Sequence, residues 1–353
     1  NMNESDQHVE SPELASLSLD VYGYQTRVRS SSETVLKGLS EDFAFFRCEA
    51  ISSGPVIELL ERDPPFDSAP PLRATVYTPR NVSYRNGNLT LIDYSGRGLG
   101  IHNRETGDFS LYSRNLDLLY EGAYLFLLSQ CGEALDARHL HRVHALAVSI
   151  EDRAAFVLLP MGGGKSTLAL NLLQFPEVAF LSDDSPLIDR AGYVHAFPLR
   201  LGLLPGAENS IPPEQIRVIN RMEFGPKLLV NYSYFAERVR PIASPGLIFL
   251  GHRSLGTACE ISEAGTLSAL RAMFANCVVG LGLFQGLEFV LQRSPREVFA
   301  KVGIALSRLR ASMRLLRRSR AYHLVLGRDS QENARALFEF LQRTAIEDAK
   351  QQP

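Results

Sequence analysis

What this 353-residue sequence lacks narrows it first. Charge is nearly balanced: 37 Lys and Arg against 39 Asp and Glu give a formal net charge of −2. There is therefore no basic footprint for nucleic acid or for an anionic membrane surface. The four cysteines, Cys48, Cys131, Cys259 and Cys277, lie far apart and form no metal-ligand spacing. Such cysteines are expected as buried, reduced thiols of a cytoplasmic protein. No basic-then-apolar segment opens the chain, so no secretory signal is expected. No run of about 18 apolar residues occurs, so no membrane span is expected. The longest apolar stretch, 278–284, is short and interrupted by glycine. There is no internal repeat and no low-complexity block outside the tails. What remains is an ordinary folded composition, 45% hydrophobic and 22% charged, with length enough for two domains.

Taken in order, residues 1–15 are polar and expected as a disordered tail. An N-terminal α+β region is expected over 16–130. Residues 17–28, LSLDVYGYQTRV, alternate as a strand. Ser30-Ser31-Ser32-Glu33 opens a helix with Val35, Leu36, Leu39 and Phe43 at helical spacing. A strand is expected at 44–50, and the prolines at 64–65 and 70–71 mark a surface excursion. Residues 74–113 read as an antiparallel meander, with turns at Asn86-Gly87 and at 105–108. A helix is expected at 116–128. The second region, 131–342, opens with strands at 142–150 and 154–159. Further strands are expected at 178–181, 245–250 and 322–326. Helices are expected at 263–273, 295–316 and from Asp329 to Phe340, followed by a tail over 343–353. Arg308, Arg310, Arg314, Arg317 and Arg318 accompany the apolar stripe Leu306, Leu309, Met313 and Leu316 and are expected on a solvated face.

The chemical signals gather in residues 156–189, FVLLPMGGGKSTLALNLLQFPEVAFLSDDSPLID. This reads as strand, glycine turn, helix, strand and acidic turn. Gly162, Gly163 and Gly164 precede Lys165, Ser166 and Thr167, as in a phosphate-binding loop. A tight turn at a helix start converges several N–H donors on one phosphate. Lys165 then reaches the β and γ phosphates, and the Ser166 hydroxyl is placed to ligate magnesium. Leu159 stands where the loop pattern has its first glycine. Asp183 and Asp184 follow the next strand, at the edge where α/β sheets bind ligands. One carboxylate suits the metal, for which Asp184 is the candidate beside Ser166; either aspartate is a candidate to take a proton from an attacking hydroxyl. Arg200 is a candidate for the transferred phosphate, since a guanidinium fork matches phosphate oxygens. Lys227, Arg238 and Arg240 are candidates for the acceptor side.

With these residues in view, 144–184 resembles the catalytic core of HPr kinase/phosphorylase, a bacterial serine kinase whose core is similar to phosphoenolpyruvate carboxykinase. That family has His-Gly before its G-x-x-G-x-G-K-[ST] loop and Ala-Asp-Asp after the next strand. Here His144-Ala145 and Ser182-Asp183-Asp184 occupy those places, with Lys165 at the family's interval from the histidine. The resemblance implies a base among the aspartates and a place for His144 near the transferred phosphate. The opening YGYQTRVRSSSETVLKGLSEDF is similar to HPr-kinase-related proteins of peptide-modification systems. The C-terminal signature motif linked to phosphorolysis is absent.

The expectation is thus an α/β protein with a mixed sheet, comprising an HPr-kinase/phosphoenolpyruvate-carboxykinase-like core and a smaller N-terminal α+β region. Its cofactors would be ATP and Mg2+. Its acceptor would be a Ser/Thr hydroxyl of a peptide or protein, or a small-molecule hydroxyl. A nucleotide-binding module without catalysis, or a hydrolase that drives a conformational change, is the alternative. No nucleic-acid or membrane partner is expected. A homo-oligomer is left open, because the matched motifs are not assembly contacts.

Overall fold

The computed structural model describes residues 14–204, 211–278 and 295–351. The tail expected over 1–15 and the apolar stretch at 278–284 therefore fall mostly outside the described residues. The chain divides into two compact units, Asn1–Ser40 with Phe46–Ala123 and Glu41–Phe45 with Tyr124–Pro353. The division falls inside two helices, α1 (Glu33–Asp42) and α2 (Leu116–Ala137).

The first unit is built on one eight-stranded sheet. Its strands are β1 (Ala15–Val21), β2 (Tyr24–Ser30), β3 (Val56–Leu60), β4 (Ala74–Tyr77), β5 (Val82–Asn86), β6 (Leu89–Asp93), β7 (Leu99–Asn103) and β8 (Phe109–Tyr112). They lie in the order β1-β2-β3-β8-β7-β6-β5-β4. β3 runs parallel to β2 and β8, and the other neighbours are antiparallel. The strand expected over 17–28 is instead a hairpin. Tyr22 and Gly23 take φ of 50° and 87°, which is the tight turn that twisted antiparallel strands favour. The strand expected at 44–50 is also corrected: Ala44–Phe46 forms a 3-10 turn.

The second unit holds β9 (His141–Arg142), β10 (Leu146–Ile150), β11 (Arg153–Leu158), α3 (Lys165–Leu172), β12 (Val178–Ser182), β13 (Leu187–Ile188) and β14 (Val194–His195). β15 (Leu201–Leu203), β16 (Ile216–Asn220), β17 (Pro226–Val230), α4 (Tyr232–Phe235) and β18 (Ile242–Arg253) follow. The remainder is β19 (Glu260–Glu263), α5 (Thr266–Met273), α6 (Pro295–Arg317), β20 (Arg320–Leu326) and α7 (Ser330–Gln351). The fold is mixed α/β. Its main sheet runs β12-β10-β11-β18-β20-β19. A short ladder β9-β13-β14 joins the start of β18, and β15-β17-β16 form a separate antiparallel sheet.

β11, β18 and β20 are parallel, and β12 shares their direction because it and β11 both oppose β10. The ends of β11 and β12 and the start of β10 therefore meet at one edge. Side chains alternate across a strand, and the two faces of the sheet carry separate cores. One packs Val157, Leu159, Leu247 and Phe249 with Leu168 of α3 and Leu337 of α7. The other packs Phe156, Leu158, Ile248 and Leu250 with Met273 of α5 and Leu315 of α6.

Several elements differ from the sequence pattern. The strand expected over 142–150 is interrupted, leaving His144 between β9 and β10. The expected strand at 245–250 is the twelve-residue β18. The helix expected at 263–273 starts three residues later, at Thr266, because Glu263 ends β19. α7 continues through much of the expected tail, to Gln351. Arg308 is not on a solvated face: it ion-pairs with Asp136 of α2, which also accepts from His141 Nδ1 at 2.8 Å.

Candidate functional site

The loop after β11 is shaped by its glycines. Gly162 and Gly164 have φ of 74° and 96°, in the left-handed region where a side chain costs energy. Gly164 occupies the N-cap of α3. The N–H groups of Lys165, Ser166 and Thr167 begin the helix, where no preceding turn offers a carbonyl. Left-handed turns and a helix start together make an anion cradle. Leu159, in place of the first loop glycine, is buried and packs against β18. A Cβ at Gly251 would lie 2.5 Å from its Cδ2. The glycine missing from the loop is thus answered by a glycine on the neighbouring strand.

Around this loop the structure gathers residues that are distant in sequence. Lys165 Nζ donates to Leu159 O at 2.9 Å, and lies 3.0 Å from His144 Nε2 and 3.7 Å from Asp184 Oδ1. An ammonium only donates, so His144 Nε2 accepts and the imidazole proton belongs on Nδ1. Nδ1 faces Asp184 Oδ1 at 3.2 Å, in a contact too poorly aligned to satisfy it as a hydrogen bond. The backbone N–H of His144 donates to Asn276 O at 2.9 Å, which pins the histidine to the π-helical turn Phe274–Val278. On the other side of the lysine, Ser166 Oγ donates to Asp183 Oδ2 at 2.8 Å.

The two aspartates are electrostatically distinct. Asp183 is buried, and burial, followed by the charge of Asp184, pushes its carboxyl up to about 6. Asp184 is 52% exposed in its side chain. Its partial burial acts upward, but His144, Lys165 and Lys227 outweigh that and hold it below the usual carboxylate range. Burial also lowers the Lys165 ammonium from its ordinary value, with Asp184 and Asp183 opposing.

The other candidates separate clearly. Lys227 crosses Gly202, where a Cβ would meet its Nζ at 3.1 Å and Ser166 Oγ at 3.7 Å. Lys227 thus belongs with the acidic pair. Arg200 is turned to Asp42 at 3.0 Å, with its guanidinium 3.4 Å from the Tyr124 ring centroid. Arg217 pairs with the same fully buried carboxylate. Arg238 caps the turn after α3 through Leu173 O at 3.0 Å, Phe175 O and Val178 O. Arg240 pairs with Asp152 at 3.5 Å.

Sequence reasoning missed Arg253. It ends β18 with its Nη1 over the loop, 3.4 Å from Gly163 O and 2.9 Å from where a Gly164 Cβ would be. Its strand position, far along the chain, gives no local signal. Among the described residues no three His, Cys, Asp or Glu side chains form a metal cage. The donors that Ser166 and Asp183 offer are hard oxygens. They suit an ion such as magnesium, which takes few protein ligands and keeps waters or phosphate oxygens. Compared with protein-family models and with curated proteins, the chain matches none.

Proposed function

We infer that the chain is an ATP- and magnesium-dependent phosphotransferase with an HPr-kinase-like core, acting on a hydroxyl acceptor, in the leading version a Ser or Thr of a peptide or protein. The observation that carries this reading is the position of Lys165 Nζ. It sits at the mouth of a phosphate cradle, between a Ser166–Asp183 pair and a His144–Asp184 pair.

The geometry favours separate roles for the two aspartates. Ser166 and Asp183 would hold the magnesium ion, whose charge would offset that of the terminal phosphates. That reverses the sequence-based choice of Asp184 for the metal. Lys165 exchanges its bonds to Leu159 O and His144 for phosphate oxygens. Asp184, exposed and held ionised, accepts the proton of the acceptor hydroxyl. His144 turns its Nδ1 towards Asp184 and favours the ionised carboxylate, and Lys227 offsets the charge that gathers there. Arg253 grips the polyphosphate from the α3 side of the loop.

The test is phosphate transfer by Lys165→Ala. Transfer should be abolished while the circular dichroism spectrum and melting temperature stay close to wild type. Unchanged turnover in that variant would overturn the assignment.

A further inference from the structure

A cavity of about 680 Å³ opens beside the loop, with His144 in its wall. It lies on the α5/α6 face of the sheet: Leu158 and Leu250, which line it, belong to the core on that face. α3 and its phosphate cradle lie on the opposite face. Of the loop, Leu159, Pro160 and Met161 line the cavity. Met161 is 65% exposed there, an apolar lip of the kind that marks a contact surface.

Its polar wall is cationic or neutral. Arg271 of α5, His252 and His323 line the cavity with His144, and among the described residues no Asp or Glu lines it. The His252 and His323 rings lie 6.4 Å apart, on neighbouring parallel strands. The Arg271 guanidinium has no hydrogen-bond or ion-pair partner among the described residues, although Arg is the side chain best suited to grip a carboxylate. The wall also includes Ala275 and Asn276 of the π-helical turn that accepts from His144, and such turns recur at functional sites.

Resting on the phosphotransferase reading, we propose that this cavity seats an acidic, leucine-like segment of the acceptor polypeptide. Its apolar side chain packs on Leu158, Leu250 and Met161, and its carboxylate pairs with Arg271. This brings the neighbouring hydroxyl to His144 and Asp184. The nucleotide instead occupies the α3 side, where Arg253 meets the loop.

The full-length protein tests this with three fluorescein-labelled mixtures of Ser-containing peptides. One combines Leu with Asp and Glu, one Leu with Asn and Gln, and one Leu with Lys. Fluorescence polarisation reads peptide binding, and calorimetry reads MgATP binding. The wild type should bind the acidic mixture at least tenfold more tightly than the amide mixture. Arg271→Ala should erase that difference, and Arg271→Glu should turn the preference towards the lysine mixture, a reversal that misfolding cannot produce. MgATP affinity should be unchanged in both variants. Equal binding of acidic and amide mixtures, no binding of any mixture, or a loss confined to MgATP in Arg271→Glu would each overturn the proposal. Failure of the wild type to bind MgATP would overturn the phosphotransferase reading separately, because the peptide measurement needs no nucleotide.

Discussion

Ser166 Oγ donates a 2.8 Å hydrogen bond to Asp183 Oδ2, tying the first turn of α3 to the end of β12. A carboxylate there sits in a costly position, because burial raises its pKa to about 6. Between the unfolded value near 3.8 and about 6, the folded chain keeps a proton that the unfolded chain has lost. Stability from this group is therefore greatest at low pH and falls as pH rises through that window. Asp183→Asn should stabilise the protein in EDTA relative to wild type. The gain should grow from about pH 4 to pH 6 and reach on the order of 3 kcal/mol above it. The same variant should lose magnesium-dependent nucleotide binding. Denaturant melts of both proteins across pH read the first effect. A gain that does not change with pH would contradict it.

Leu159 and Gly251 form a coupled pair. Gly251→Ala would put a methyl group 2.5 Å from Leu159 Cδ2 and 2.8 Å from Leu158 O. Overpacking of this kind costs about 1–3 kcal/mol, and it should also weaken nucleotide binding by displacing the loop. Leu159→Ala in the same chain should recover part of the loss. Strict additivity in the double-mutant cycle would show that the two residues do not communicate.

Arg253→Ala should lower ATP affinity by about tenfold, the scale of one charge-assisted phosphate contact. Stability should barely move, because the residue is exposed and its protein bonds are 3.4 and 3.5 Å long. Calorimetric titration alongside a thermal melt separates the two effects. Unchanged ATP affinity would remove Arg253 from the site.

Asp136 joins Arg308 and His141 in a largely buried network. Removing one member leaves a buried charge uncompensated, at about 3–5 kcal/mol. Asp136→Ala should destabilise by that order without changing nucleotide affinity below the melt.

How far the sequence could be read depended on the distance between partners. The strand, glycine loop, helix and acidic turn at 156–189 were legible because every part is local. His144 required the spacing to Lys165, since a histidine between two strands is commonplace. Arg253 and Gly251 join the loop from a strand remote in the chain, so no periodicity announces them, and Lys227, named only for the acceptor side, comes to the acidic pair from another. Arg308 looked like one member of a solvated row because its partner, Asp136, lies on another helix. The Tyr22-Gly23 turn was hidden because apolar residues flank it without a break. The two aspartates were adjacent letters in the sequence, and their contacts distinguish them: Ser166 for Asp183, and His144 with Lys165 for Asp184.

The most direct measurement is single-turnover transfer from γ-labelled ATP to the acidic Ser-containing peptide mixture, with wild type and Asp184→Asn compared at saturating magnesium. The account predicts labelled phosphoserine with wild type. Asp184→Asn should bind MgATP normally but transfer at least about a hundredfold more slowly, the scale of losing a general base. Equal rates in the two proteins, or tight MgATP binding by wild type with no transfer to any hydroxyl, would contradict it.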